Sequence, residues 1–246
     1  MTGHIAVVCR NNLSYSRICL DTLLKQTVPC NVLIINNASS DGTAQWARQQ
    51  MQNHPAVWSM SFGEVQSVSK CWNEGLKWAW SQGAFEALVV NNDTEFRPDT
   101  YELLWKHLYS DTTLGMVTGV SAGEEQDRGL IESIIESPHP DFSAYMVSRW
   151  AWEAVGGFDE AFEGAYYEDA RFHVEAHRKG IRCVSIGVAF LHKRSATRRH
   201  ADHGEAKRIE AAYRANKARF IALYHCDTGT REYENIFSTN AMGDTR

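Results

Sequence analysis

Three clusters of amide- and acid-bearing residues follow short β-branched runs: Arg10-Asn11-Asn12 after HIAVVC, Asn36-Asn37 after NVLII, and Asn91-Asn92-Asp93 after ALVV. In an open parallel sheet, ligands bind off the carboxyl ends of the strands, so the three clusters line one edge if their strands share a sheet. Taken singly, each also reads as an ordinary turn, because Asn and Asp start turns. Charge is segregated in the second half of the chain. Residues 121–170 hold twelve acids, Glu168 and Asp169 among them, against two bases; residues 171–219 hold thirteen bases against four acids. An acidic stretch beside a basic one can hold a metal and an anionic ligand together. Two solvated helix faces would give the same pattern.

The elements that must position these residues alternate. Strands are predicted over residues 4–9, 31–35, 56–60 and 87–90, and helices over 14–26, 42–52, 65–80 and 98–109. Asp41 reads as the N-cap of the second helix, and Pro98 falls in the first turn of the fourth. Connections of this length imply right-handed crossovers and a mostly parallel sheet, hence an α/β fold. Beyond Leu114 the pattern loosens. Strands are expected over 115–120, 142–147 and 181–191, and helices over 150–155, 166–179 and 205–224, the last rich in Arg and Lys, with a frayed tail from 239.

With 246 residues, 43% of them hydrophobic, and only five prolines, the chain can form one large domain. The expected organisation is one main domain over about residues 1–200, followed by a helical extension and tail over 201–246. A net charge of -5 argues against generic nucleic-acid or membrane binding. The six cysteines show no zinc or C-x-x-C spacing, no apolar stretch is long enough to span a membrane, and the amino-terminal residues run into a strand without a signal-like region. A reducing, cytoplasmic setting is the expectation.

INNASSDGT (35–43), KCWNEG (70–75), VVNNDTEFRPD (89–99), VGGFDEAF (155–162), YYEDARFHVEAHRKG (166–180) and LHKRSAT (191–197) stand in the order found in the inverting family 2 glycosyltransferases. The ordered set resembles that family over about residues 4–225. The resemblance implies a GT-A fold, Rossmann-like, with a nucleotide-sugar half over about residues 1–110 and an acceptor half over about 111–200. It also implies transfer of a sugar from a nucleoside-diphosphate sugar, a UDP-sugar above all. The Q-x-x-R-W signature of processive synthases is absent.

By the same resemblance, Asn91-Asn92-Asp93 takes the place of the D-x-D motif. Asp93, its one carboxylate, and His192 would hold Mn²⁺ or Mg²⁺ on the donor diphosphate. Asp169 would be the general base of an E-D pair, with Glu168 positioning the acceptor or supporting Asp169; helix N-terminal acids are the bland alternative. Arg10, Asn36, Asn37, Lys70, Asn73, Asn91, Asn92 and Gly157 map to donor-contacting positions, although Asn36 stands where the family often has an acid. Lys193, Arg194, Arg198 and Arg199 map to a loop that closes on the pyrophosphate. Trp150, Trp152, Phe158, Phe162, Tyr166 and Tyr167 crowd the expected acceptor region, with ordinary core packing as the alternative for most. Trp72, Trp78 and Trp80 read as core. The acceptor stays open among a glycan, a protein, a metabolite and a nucleic acid, as does self-association. A sugar-phosphate nucleotidyltransferase and a non-catalytic binding module are the rival functions. The first lacks its Gly-rich N-terminal loop here; the second draws on the Asn residues at 36 and 91.

Overall fold

The computed structural model describes residues 1–122, 131–193 and 203–238. In chain order the elements are β1 (Gly3–Cys9), α1 (Leu13–Leu23), β2 (Cys30–Asn37), α2 (Thr43–Asn53), β3 (Val57–Phe62), α3 (Val68–Ser81), β4 (Glu86–Asn91), β5 (Thr94–Glu95), α4 (Thr100–Leu108), β6 (Leu114–Ala122), β7 (Ile131–Ile135), β8 (Ala144–Ser148), α5 (Arg149–Val155), α6 (Glu168–Arg178), β9 (Arg182–His192), α7 (His203–Tyr224) and α8 (Arg231–Ser238). The strands form one sheet in the order β3-β2-β1-β4-β8-β6-β9-β5, with β7 also on β9. The pairs β1/β2, β2/β3, β1/β4 and β6/β9 are parallel, whereas β8, β5 and β7 run against their neighbours. The sheet is therefore mostly parallel, as expected.

Both faces of the sheet are covered, which is why its central strands read as unbroken apolar runs. Ile5, Val7 and Cys9 of β1 face a core built with Leu20 and Leu23 of α1, Trp46 of α2 and Leu104 of α4. Ala6 and Val8 face the opposite core, with Trp72 and Leu76 of α3, Val155 of α5 and Phe172 of α6. A third cluster, Phe162, Tyr167, Val174, Phe220, Cys226 and Tyr233, docks α7 and α8 onto α6 and the loop before it. No described helix is long and apolar enough to cross a membrane.

Several boundaries differ from the sequence reading, for local reasons. Helix α3 starts at residue 68 because Ser67 caps it, its hydroxyl accepting from the Lys70 amide at 3.2 Å. Asp41 is not an N-cap: that position is Gly42, at φ 89°. The Asp41 carboxylate instead accepts the amides of Leu13 at 2.8 Å and Thr43 at 3.2 Å, tying the starts of α1 and α2 together. Helix α6 starts at Glu168 because Tyr166 and Tyr167 have left-handed φ angles of 80° and 72°. The short elements β5, β7 and α8 were not legible from periodicity.

Gly75 shows how closely the layers pack. A Cβ placed there would sit 2.6 Å from Cβ of Ala6 on β1. Helix propensity alone would favour replacing a mid-helix glycine by about 0.5–1 kcal/mol, but overpacking costs about 1–3 kcal/mol. Gly75→Val is therefore expected to destabilise the fold, read as a lower urea midpoint with an unchanged slope. A midpoint at or above the parent's would contradict this packing.

Candidate functional site

The ends of β1, β2 and β4 are level. Cys9 pairs with Asn36, and Val8 with Asn91, so the residues that follow sit side by side. Arg10 turns toward the β2–α2 connection. Its guanidinium donates to the carbonyls of Asn37 and Ala38 and, at 2.9 Å, to the Glu205 carboxylate at the start of α7. Asn36 is buried; its side-chain oxygen accepts from the Ser39 amide, and its nitrogen lies 3.4 Å from the Ser61 hydroxyl. Asn37 binds both backbone polar atoms of Gln66, at 3.0 and 2.8 Å. Asn92 donates to the Asn11 carbonyl and the Ser16 hydroxyl. Asn37 and Asn92 thus brace the loops that carry the edge. The Asn91 side chain makes no hydrogen bond among the described residues.

Asp93 and His192 converge on this edge. Strand β5 pairs antiparallel with the end of β9, Thr94 opposite His192. The Asp93 carbonyl accepts from the Lys193 amide at 2.9 Å. Asp93 Oδ1 then lies 3.4 Å from His192 Nε2, with both side chains largely buried. Two ligands in adjacent octahedral positions, each about 2.1 Å from a metal, stand about 3 Å apart, so this carboxylate and imidazole fit as one edge of a Mn²⁺ or Mg²⁺ coordination sphere. Among the described residues no group of three or more His, Cys, Asp or Glu completes such a sphere. Arg194, Arg198 and Arg199 lie outside the described residues.

Glu168 and Asp169 open helix α6. Glu168 is buried with Oε2 unpartnered, and burial followed by the Asp169 charge pushes its carboxyl well above the usual range. Burial also raises Asp169, against hydrogen bonds from its own amide and that of Ala170. Asp169 faces a cavity of about 220 Å³ walled by aromatic rings. The two residues before the pair carry left-handed backbone, a conformation that costs about 1–2 kcal/mol for a non-glycine residue. Helix α7 holds it in place: Asn216 Nδ2 lies within 2.8–3.2 Å of the carbonyls of Glu163, Ala165 and Tyr166. The Tyr167 hydroxyl donates to Asp227 at 2.7 Å, and Asp227 also pairs with Lys217.

Some expected contacts have other work. Asn73 uses both ends of its amide, donating to the Phe158 carbonyl and Glu160 and accepting from Trp152 and the Phe158 amide. It locks the Gly156-Gly157 turn, where a Cβ on Gly157, at φ 78°, would lie 3.0 Å from the Asn73 oxygen. Lys70 sits 3.5 Å from both Glu74 and Glu160. Of the six aromatics expected at the acceptor region, Phe158 and Phe162 are core, Trp152 bonds Asn73, and Trp150 is exposed on α5. Only Tyr166 and Tyr167 line the cavity; Phe142, Tyr213 and Tyr233 join them. Trp72 and Trp80 are core, as expected, and Trp78 is half-buried against Trp58 and His4. Sequence reading missed Asn216, Glu205, Tyr213 and Tyr233, because only the docking of α7 and α8 brings them to the site.

Unfolded, Glu168 ionises at an ordinary carboxylate pH; folded, it keeps its proton to higher pH. Its stabilising contribution is complete below the ordinary value and is lost as pH rises through the raised one. Glu168→Gln, a neutral isostere, is expected to remove that loss, so the stability gap between variant and parent should widen from pH 5 to pH 8 in urea titrations. Parallel pH profiles would contradict the buried, proton-holding carboxyl.

Three solved structures share this fold. A mannosyltransferase from Pyrobaculum calidifontis, in complex with GDP-Man and Mn²⁺, aligns with a TM-score of 0.63 at 18% identity over 97% of this chain and 79% of its own. Residues 1–349 of TarS from S. aureus, in complex with UDP-GlcNAc, give 0.65 at 15% identity over 96% of this chain and 70% of that one. GalNAc-T7 with UDP, GalNAc and Mn²⁺ gives 0.70 at 11% identity, and this chain covers 96% of itself but only 49% of that protein. At such identities the likeness shows the fold. No match was found among curated protein sequences. The family model of glycosyl transferase family 2, however, matches residues 4–159, more than half the sequence, and the chain therefore belongs to that family of glycosyltransferases.

Proposed function

We propose that this glycosyltransferase moves a sugar, with inversion, from a nucleoside-diphosphate sugar to an acceptor hydroxyl, a UDP-sugar being the first donor to test. The observation that carries this reading is the approach of Asp93 to His192 at 3.4 Å on the carboxyl edge of the sheet. An oxygen and an imidazole nitrogen suit Mn²⁺ or Mg²⁺. When bound, the ion would neutralise charge on the departing nucleoside diphosphate. Solved relatives in fold hold GDP-Man or UDP together with Mn²⁺, in support of a divalent ion and a nucleotide-sugar donor.

The remaining steps fall to the chain's own groups. Asp169 takes the proton from the acceptor hydroxyl as that oxygen attacks the anomeric carbon, and its raised proton affinity makes it a stronger base. Glu168, neutral in its buried site, leaves Asp169 as the ionised member of the pair. Asn91, whose amide makes no hydrogen bond among the described residues, would contact the donor, and Asn36 and Arg10 would help to hold its nucleobase. Asn37, Asn73, Asn92 and Gly157 act on the donor through the loops they fix, and Lys70 through its charge beside Glu160. Six unpaired thiols, five of them buried, suit a reducing, cytoplasmic setting.

Two outcomes are expected. UDP should raise the melting temperature only with Mn²⁺ present, and Asp93→Ala should abolish that rise. A panel with GDP, dTDP, CDP and ADP then ranks the bases; a panel with no metal-dependent shift would count against the reading. Asp169→Asn should keep the nucleotide shift while lowering transfer by about 10²–10⁴-fold. Normal transfer by that variant would remove Asp169 as the base.

A further inference from the structure

The cavity beside Asp169 is assembled from parts distant in sequence. Pro138, His139 and Phe142 come from the β7–β8 connection, Tyr166 and Tyr167 precede α6, Tyr213 comes from α7, and Thr228 and Tyr233 come from the chain around α8. Phe142, Tyr167 and Tyr233 are buried at its back, whereas Tyr166 and Tyr213 are each more than a third exposed, with ring centroids 5.5 Å apart and ring planes at 83°. His139 stacks on Tyr233 at 5.2 Å. Among the described residues no Lys or Arg lines the cavity, and the one carboxylate there is Asp169.

We infer that this cavity binds one uncharged sugar ring of the acceptor, so that the acceptor is a glycan or glycoside and helices α7 and α8 help select it. The inference rests on the proposed role of Asp169 and deepens it. A pyranose ring presents apolar C–H faces and a hydroxyl edge. Aromatic rings cover such faces, and Asp169, His139 and Thr228 supply polar groups for the edge. The volume suits a single ring rather than a polymer chain. Among the described residues an anionic group meets the Asp169 carboxylate here and no Lys or Arg, which disfavours a phosphate next to the reacting hydroxyl. Of the bases on α7, Arg214 pairs with Glu210, Lys217 pairs with Asp227 and Arg219 lies over the Phe162 ring.

The test uses the full chain and does not depend on the donor. Saturation-transfer NMR is recorded with methyl glycosides of glucose, galactose, mannose, rhamnose and N-acetylglucosamine, and with a single-stranded oligothymidine as the competing class. At least one glycoside should receive saturation through its ring C–H protons. Tyr213→Ala, a surface change on α7, should weaken its binding about five- to tenfold, and Tyr213→Phe, which keeps the ring, should restore it. Saturation of no glycoside, binding unmoved by Tyr213→Ala, or salt-sensitive binding of the oligonucleotide alone would overturn the inference. The Mn²⁺-dependent nucleotide shift, read on the same samples, separates the cases. With that shift intact, a failed sugar result overturns the acceptor inference alone; loss of both overturns the proposed function as well.

Discussion

A two-residue ladder between β5 and the end of β9 sets the geometry on which the site depends. It holds Thr94 opposite His192 and so carries the Asp93 carboxylate to 3.4 Å from the imidazole. The two strands come from different halves of the chain, and the ladder fixes one half against the other beside Asp93 and His192. The rest of the sheet serves that junction. Parallel strands β1, β2 and β4 end level, so Arg10, Asn36 and Asn91 border it, while the antiparallel strand β8 joins the two halves between β4 and β6.

The second half of the site is held by strain and its compensation. Left-handed backbone at Tyr166 and Tyr167 aims the start of α6, and with it Asp169, toward the aromatic cavity. Such backbone persists only where its surroundings over-determine it. Here Asn216 gathers three carbonyls of the preceding loop, and the Tyr167 hydroxyl is tied to Asp227. The carboxyl-terminal helices therefore hold the loop that presents the proposed base. The Arg10–Glu205 pair extends the same bracing to the opposite half.

The fold was largely legible in the sequence because β1 to β4 are buried on both faces and alternate with amphipathic helices. Asp93, Asp169 and His192 were singled out by the family resemblance, and the fold brings Asp93 to 3.4 Å from His192 and Asp169 to the cavity wall. The site was not legible where several asparagines share a sequence neighbourhood. Among the described residues the Asn91 side chain makes no hydrogen bond, but Asn37, Asn73 and Asn92 spend theirs on backbone and side-chain partners within the protein, and only the fold reveals the difference. A two-residue strand such as β5 carries no periodic signal, and the cavity wall was hidden because Tyr213 and Tyr233 reach it only through tertiary docking.

The central claim is that Asp93 and His192 share a divalent ion on the donor diphosphate. Pulsed electron paramagnetic resonance of Mn²⁺ bound with UDP tests it most directly, since a coordinated imidazole nitrogen modulates the echo. The account predicts a single nitrogen coupling in the ternary complex that vanishes in His192→Ala. Tightly bound Mn²⁺·UDP with no nitrogen coupling, or a coupling that survives that substitution, would contradict it.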